Sequence, residues 1–257
     1  MELARRLELA EARDAVQFAE VWARSHPEAG PASLEIAGGQ AAFGGAGSPL
    51  SHAVGLGMNG PVSAGDFVRF EQFYRERGAA PTLDICPLAD PSLIEHTGRR
   101  GYRIVEFNNV LVGRPDPGSV CKNEAIRPAS DETEWTQTVC AGFFERSAFT
   151  REELELSSAL FHMPAAVPWI GYSGGEPAAA ANMAIQSGLA LLFGDSTVPK
   201  FRRQGWHRAL IEARMSHAAA HGCDLATAST LPGSASQRHY ERLGFRVVYT
   251  KLIMSCD

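Results

Sequence analysis

The chain has 257 residues, with 24 Lys and Arg against 29 Asp and Glu, and its formal net charge at pH 7 is −5. With 45% hydrophobic and 21% charged residues it has the composition of an ordinary globular protein, which excludes a disordered or fibrous chain. The acidic balance argues against a general nucleic-acid-binding protein, which requires a basic excess. The length allows one large domain or two of about 130 residues.

The cysteines and the apolar segments exclude further classes. The five cysteines are odd in number and show no CxxC spacing, which argues against a disulfide framework and against a zinc site. Residues 1–24 lack the apolar core of a signal peptide. The uncharged stretch 177–194 contains Asn182 and Gln186, so we interpret it as two buried strands with a turn at Ser187-Gly188 rather than as a membrane helix. We therefore expect a cytoplasmic protein with no metal ion and no contact with membranes.

In the first half, apolar residues at helical spacing predict a helix over residues 2–25. Short strands follow near 34–36 and 53–57, within a segment rich in Gly, Ala, Ser and Pro. Ser63 is the expected N-cap of a second helix, whose aromatic stripe we interpret as core. A strand over 81–86, a helix over 90–100 and a strand over 102–112 come next.

The segment 113–118 contains two prolines and two glycines after an apolar strand, which is typical of a linker. It predicts an N-terminal domain over 1–112, a linker over 113–122 and a second domain over 123–257. The second domain is predicted to contain strands at 123–127, 167–172, 178–186, 189–198, 224–229 and 245–254, and helices at 131–144, 150–162, 205–221 and 236–243. The order strand, loop, helix, Gly-aromatic-Arg, strand occurs in both halves, which either gene duplication or the general pattern of α/β proteins explains.

The segment 193–210 carries the clearest chemical signal. An apolar strand ends in a basic turn, and a helix begins directly after Gly205. The first turn of a helix presents unpaired N–H groups and the positive end of the helix dipole, which together attract an anion. Gly205 lets the backbone approach a bulky ligand, and Arg202 and Arg203 add charge for bidentate contacts with phosphate. We interpret the segment as a pyrophosphate site, and the alternative is a solvated basic turn; neither a Walker nor a GxGxxG pattern fits.

The segment Arg202-Arg203-Gln204-Gly205-Trp206-His207 resembles the Arg/Gln-x-x-Gly-x-Gly/Ala motif of the GCN5-related N-acetyltransferase (GNAT) superfamily. The segment 236–245, with Tyr four residues before Gly-Phe, is similar to the closing helix of that family. The resemblance implies an α/β (α+β) fold in which helices flank a mixed twisted sheet, in tandem form with a degenerate first half. The sequence departs from the family at His207, where Gly or Ala is usual, and at Gly233 and Ser236, where many members have Asn and Ala.

The resemblance also implies acetyl-CoA as co-substrate, in a cleft where the strands 189–198 and 224–229 separate. The pantetheine arm would pair with the backbone near Val198, whose N–H would polarise the thioester carbonyl. Trp206 would either cover the adenine or ribose or pack in the core. The cofactor-binding residues implied by the motifs are Thr197, Val198, Arg202, Arg203, Gln204, Gly205, Trp206, His207 and Ser236.

The implied reaction is transfer of an acetyl group to a primary amine of a small molecule or peptide, by direct attack in a ternary complex. Tyr240 is the candidate general acid for the leaving thiolate, or alternatively a core ring, and Asp195 is the candidate general base, or alternatively a turn residue. The rival interpretations are a non-catalytic acyl-CoA-binding regulatory module and an enzyme for longer acyl chains. The first half would wall the acceptor cleft, extend the sheet or form a helical lid. The oligomeric state stays open, a homodimer included.

Overall fold

The computed structural model describes residues 1–45, 47–118 and 123–256. Residues 119–122, which include Cys121 and the end of the predicted linker, lie outside the described residues. The chain divides into two compact units: unit 1 contains Met1–Val110 and Tyr249–Asp257, and unit 2 contains Leu111–Val248.

The helices and strands follow the chain in nearly the predicted order. The helices are α1 (Glu2–Ser25), α2 (Ala64–Arg75), α3 (Ser92–Arg99), α4 (Glu132–Phe144), α5 (Arg151–Phe161), α6 (Trp206–Ala220) and α7 (Ala235–Arg242). The strands are β1 (Ala32–Ile36), β2 (Gly39–Phe43), β3 (Ala53–Val54), β4 (Thr82–Ile85), β5 (Arg103–Gly113), β6 (Ile126–Pro128), β7 (Trp169–Ser173), β8 (Glu176–Gln186), β9 (Leu189–Thr197), β10 (Leu225–Thr230) and β11 (Arg246–Ser255). The sequence did not predict β2, because its residues Gly-Gln-Ala-Ala-Phe contain little of the β-branched and aromatic content that marks a strand.

Unit 1 is an α/β unit with strand order β1-β2-β3-β4-β11. The Ser63 hydroxyl caps α2 by accepting a hydrogen bond from the Asp66 N–H, as predicted. The aromatic stripe of α2 lies in the core of this unit, where Phe67, Phe70 and Tyr74 are fully buried. Because unit 1 contains its own strands and core, the interpretation of the first half as a helical lid is wrong.

The C-terminal strand divides the chain differently from the sequence prediction, which placed all of residues 123–257 in the second domain. Residues of β11 pair antiparallel with β4, with Leu252 opposite Ile85, and so belong to unit 1. Leu252 and Met254 pack against the core of unit 1. This pairing joins residues about 170 positions apart, and local sequence patterns carry no information about such distant partners.

The strand β5 runs from unit 1 into unit 2, which it enters at Leu111. Next to it, the mixed sheet of unit 2 has the order β10-β9-β8-β7-β6, in which β7, β8 and β9 are antiparallel and β9 and β10 are parallel. Alternate residues of β8 point to opposite faces: Ala179 and Ala181 pack in the cluster that contains α6, and Ala180 packs with residues of α4. Helices therefore cover both faces of the sheet, which explains the uncharged run 177–194. The interpretation of this run as two strands is confirmed, and no helix among the described residues is long and apolar enough to cross a membrane.

A buried cluster of charged side chains joins three elements of unit 1. Lys251 on β11 is 1% exposed and its Nζ lies 2.6 Å from Glu11 Oε2, 3.2 Å from Glu8 Oε1 and 3.9 Å from Asp84 Oδ2. The Tyr249 hydroxyl also donates to Glu8 Oε1 at 2.7 Å. Burial raises the pKa of Glu8 to about 7, although the charge of Lys251 opposes this shift.

We predict that the Glu8→Gln variant loses part of the pH dependence of stability. A carboxyl whose pKa is raised in the folded state binds more protons there than in the unfolded chain, so its contribution falls as the pH rises from about 4.5 to about 7. Relative to wild type, the free energy of unfolding of Glu8→Gln should therefore increase across that window, by about 1–3 kcal/mol. Urea denaturation at a series of pH values measures this difference, and a difference that stays constant with pH would contradict the assignment.

Candidate active site

The parallel strands β9 and β10 separate soon after they begin. Their pairing covers only three positions, from Leu189 opposite Leu225 to Leu191 opposite Thr227. Beyond Leu191, β9 stays paired with β8 as far as Thr197. A cleft therefore opens outside the carboxyl ends of the two parallel strands, which is where α/β sheets commonly bind ligands.

A β-bulge on the β8–β9 pair fixes the residue that faces this cleft. Ala180 lies opposite Ser196 and Asn182 lies opposite Phe193, so two residues of β9, Gly194 and Asp195, oppose one residue of β8. Gly194 has φ +67°, the left-handed conformation that glycine adopts without strain. Bulges of this kind redirect side chains, and Asp195 is directed into the cavity described below.

Asp195 is held as a largely buried carboxylate, with 13% of its side chain exposed toward the cavity. It forms an ion pair with the guanidinium of Arg214, which is fully buried on α6, and its Oδ2 accepts a hydrogen bond of 2.6 Å from the Tyr240 hydroxyl on α7. Burial alone would raise the pKa of Asp195, but the charge of Arg214, with His207 and Tyr240, lowers it to about 2. Such a carboxylate is a weak base, which disfavours the predicted base role.

Arg214 also fixes the strands around the bulge. Its guanidinium donates to the carbonyl oxygen of Asn182 at 2.7 Å, and its Nε donates to the Leu210 carbonyl at 3.1 Å. The sequence analysis did not single out Arg214. The available signal was its position on the apolar face of α6, four residues after Leu210 and four before Ala218, which are both buried.

Tyr240, the predicted general acid, is 1% exposed and does not line the cavity. Burial and the neighbouring Asp195 charge raise the pKa of Tyr240 well above 10. To give a proton to a ligand, the hydroxyl must first exchange its hydrogen bond with Asp195 for one to that ligand. The acid role stays a prediction, and the structure adds a second role, which is to hold Asp195.

The first turn of α6 presents unpaired backbone amides. Its first intrahelical bond runs from Ala209 N–H to Gly205 O, and among the described residues no carbonyl or side chain accepts from the amides of Trp206, His207 and Arg208. Gly205 is the N-cap residue with φ +88°, and its missing side chain leaves these amides uncapped. A Cβ at Gly205 would meet no atom within 4 Å, so the approach to the amides is open.

A cavity of about 770 Å³ joins this turn to Asp195. Of the predicted cofactor-binding residues and catalytic candidates it brings together Asp195, Thr197, Arg202, Arg203, Gly205, Trp206, His207 and Ser236. Three other predicted site residues, Val198, Gln204 and Tyr240, are not among its lining residues. The volume falls in the range of small-molecule sites in proteins.

Two predicted contacts are corrected by the structure. The Val198 N–H donates to the Ala178 carbonyl at 3.0 Å within the sheet, so it is not available to polarise a thioester. Arg202 pairs with Glu145 at 2.7 Å and donates to the Gly142 carbonyl at 3.0 Å, so it holds the turn to the end of α4. Arg203 is exposed, has φ +62° and lines the cavity beside Arg202.

Trp206 and Gln204 also differ from simple ligand contacts. The Trp206 ring packs against the core of unit 2, and a Cβ added at Gly171 would lie 3.0 Å from Trp206 Cε3. Trp206 thus serves packing while its edge still lines the cavity. The Gln204 amide donates to the Lys200 carbonyl at 3.4 Å, so it stabilises the turn.

Two histidines meet across the cavity between α6 and α7. His207 Nδ1 lies 2.7 Å from His239 Nδ1, and His207 Nε2 lies 3.7 Å from Asp195 Oδ1. The His207 imidazole is therefore directed toward Asp195 and His239 instead of toward the open face of the turn. No local pattern in the sequence marks His239, because its partner lies 32 residues away on another helix.

Comparison with known proteins places this site in a family. The model of the acetyltransferase (GNAT) family matches residues 132–245, which contain the cavity, the bulge and both helices of the site. The chain contains a GNAT acetyltransferase domain. No curated protein sequence matches the chain.

The similarity to solved structures covers more of the chain than residues 132–245. A GCN5-related N-acetyltransferase from Kribbella flavida is 18% identical with a TM-score of 0.61, over 95% of this chain and 94% of that chain. A tandem GNAT protein from the clavulanic acid biosynthesis pathway is 13% identical with a TM-score of 0.60, over 84% and 77% of the two chains. A GCN5-related N-acetyltransferase from Sphaerobacter thermophilus is 16% identical with a TM-score of 0.52, over 71% and 62%. The likeness shows a GNAT-like mixed sheet flanked by helices.

We predict that Arg214→Met strongly destabilises unit 2, because it leaves the buried Asp195 carboxylate without its partner. Breaking a buried ion pair on one side costs about 3–5 kcal/mol. Arg208→Met on the same helix is the control, because Arg208 is 70% exposed and its pair with Glu212 contributes at most about 1 kcal/mol. Thermal and urea denaturation compare the two variants, and equal small losses would contradict the central role of Arg214.

Proposed function

We propose that the GNAT domain transfers an acetyl group from acetyl-CoA to a primary amine of a small molecule or a peptide. The observation that carries the proposal is the open first turn of α6, whose unpaired amides and Arg203 line a cavity that continues to the separated strands β9 and β10. Amides at a helix N-terminus and an exposed arginine are the groups that bind a diphosphate. Family membership supports acyl transfer in general.

The residues present fit coenzyme A in two parts. The amides of 206–208 and the Arg203 guanidinium would hold the diphosphate. Thr197 on β9 and Ser236 on α7, which both line the cavity, would contact the arm that leads inward. The acetyl thioester would then lie near the end of β9. An uncharged amine attacks a thioester directly, so no covalent enzyme intermediate is required in this proposal.

The proposed acceptor is a primary amine because the inner part of the cavity is negatively charged. Asp195 is ionised at neutral pH and lies at this end of the cavity, and its charge favours an ammonium group that approaches. Arg214 neutralises part of that charge, so the attraction is moderate.

We also propose a tandem origin for the two halves, in which unit 1 lacks a basic turn of its own, since residues 55–60 carry no positive charge.

We predict that Gly205→Asp weakens coenzyme A binding far more than Gly205→Asn. Both side chains have the same shape, and both residues tolerate a left-handed backbone better than most, so the pair differs only in charge. A carboxylate several Å from a diphosphate repels it by about 1–3 kcal/mol, so we expect a loss of about 5- to 150-fold in affinity for Asp relative to Asn. Isothermal titration calorimetry with coenzyme A measures it; equal affinities would show that the diphosphate lies elsewhere.

We predict that Tyr240→Phe lowers kcat by about 10²–10⁴-fold while coenzyme A still binds, if the hydroxyl protonates the leaving thiolate. If the hydroxyl only holds Asp195, kcat changes little and the loss appears in stability, at about 1–3 kcal/mol for a hydrogen bond to a charged group. Free-thiol release from acetyl-CoA with a panel of primary amines gives the rate, and urea denaturation gives the stability. A wild-type protein that binds coenzyme A but acetylates no amine would favour the non-catalytic regulatory module.

A further inference from the structure

The geometry points to His239 as the general base of the reaction proposed above, with His207 and Asp195 as positioning residues that set its tautomer. The inference rests on the proposed function, and it concerns residues that neither motif of the family resemblance assigns to catalysis. Three contacts carry it: Asp195 to His207, His207 to His239, and the position of His239 on the wall of the cavity.

The first step is the orientation of His207. Its Nε2 is buried, has no hydrogen-bond partner among the described residues, and lies 3.7 Å from a carboxylate that stays ionised down to about pH 2. A neutral imidazole next to a fixed negative charge lowers its energy by presenting an N–H and not a lone pair. We therefore assign the proton of neutral His207 to Nε2, which leaves Nδ1 as an acceptor.

The second step follows from the 2.7 Å distance between the two Nδ1 atoms. A hydrogen bond this short needs one donor and one acceptor, and His207 Nδ1 is the acceptor. His239 Nδ1 must then carry its proton, so the lone pair of neutral His239 lies on Nε2. Among the described residues, no protein group donates to this Nε2, and His239 is one of the residues that line the cavity.

The third step is the effect of charge on His239. Burial lowers the pKa of His239 below its ordinary value of 6.5, the charges of Arg242 and Arg238 lower it further, and Asp195 opposes them. A lowered pKa keeps the imidazole neutral at pH 7 and ready to accept a proton. When Nε2 takes a proton, the Asp195 carboxylate, 3.7 Å from His207 Nε2, attracts the new positive charge through space. Among the described residues, no group of three His, Cys, Asp or Glu side chains is placed to hold a metal ion.

The proton balance is complete without another reactant. The ammonium group of the acceptor first releases one proton to solvent; the uncharged amine nitrogen then forms a C–N bond with the acetyl carbon and gives a second proton to His239 Nε2. The C–S bond breaks, and its electron pair stays on the sulfur of coenzyme A, which takes a proton from Tyr240 in the proposed mechanism. Exchange with solvent then removes the proton from His239 and restores the one on Tyr240.

The test combines a pH profile with a spectrum. For wild type, kcat/KM for acetyl-CoA and the best amine of a panel should fall on the acid side, as His239 becomes protonated. His239→Gln should lose about 10²–10⁴-fold in rate together with that acid limb. As the control, His221→Gln changes an exposed histidine at the C-cap of α6 and should match wild type. A His239→Gln variant within tenfold of wild type and with the same profile overturns the inference.

The positioning role has its own measurement. Two-dimensional ¹⁵N NMR of the imidazoles in the wild-type protein should show His239 as the Nδ1–H tautomer and His207 as the Nε2–H tautomer. The His207→Phe variant keeps an aromatic ring at this position but removes the hydrogen-bond acceptor of His239. In this variant, His239 should shift toward the Nε2–H tautomer, and the rate of acetyl transfer should fall. The affinity for coenzyme A, measured by calorimetry, should change less than threefold. An Nε2–H tautomer of His239 in wild type overturns the assignment.

These readouts separate the inference from the proposed function. If wild type fails to bind coenzyme A, the proposed function fails. If coenzyme A binds and amines are acetylated, but the pH profile and the tautomers do not depend on His207 and His239, only the inference fails. If coenzyme A binds and no amine reacts, the tautomers decide. The Nδ1–H tautomer of His239 with the Nε2–H tautomer of His207 supports the inferred arrangement of the two histidines, and any other combination overturns it.

Discussion

The site depends on one buried ion pair, between Asp195 on β9 and Arg214 on α6. A carboxylate in the interior must be paired, because an isolated buried charge costs more free energy than a domain can supply. Arg214 meets this requirement and also binds the carbonyls of the strands on both sides of the bulge. The pair thus fixes the bulge against α6, and the Tyr240 hydroxyl adds α7 to the same carboxylate. Strand, bulge and both helices are held in one arrangement by a single charge.

From this arrangement follows a division of charge along the cavity. At the outer end, the amides of α6 and Arg203 are positive and suit a diphosphate. At the inner end, Asp195 is negative and suits an amine or a protonated imidazole. The sequence motif predicts ligand contacts for Arg202 and Val198, but both residues bind other parts of the protein. Arg202 holds the turn to α4, and the Val198 N–H donates within the sheet. A ligand therefore meets the parts of the turn that the fold leaves unpaired.

Unit 1 contains a buried charge cluster of its own, around Lys251. Its buried Lys251 is surrounded by carboxylates from α1 and β4, and this cluster ties the C-terminal strand to the beginning of the chain. Glu8 and Lys251 are 243 positions apart, so forming this contact closes a loop that contains most of the chain and costs conformational entropy. Such a cluster favours one arrangement of the elements, because any shift would leave a buried charge unpaired. The domain division of this protein therefore follows pairing in space and departs from the order of the sequence at the last strand.

The sequence by itself determined the local elements and the chemistry of the turn. Helical and strand periods, the Ser63 cap, the small residues of β8 and the basic turn before Gly205 depend on neighbours within a few positions, so they can be read directly from the chain. Only the tertiary structure decided which groups remain available. It engaged Val198 and Arg202, buried Tyr240 against Asp195, turned His207 inward, and brought Arg214 and His239 into the site. These outcomes depend on contacts between residues 12 to 60 positions apart, and on the free-energy cost of leaving a buried charge unpaired, and no local pattern encodes either.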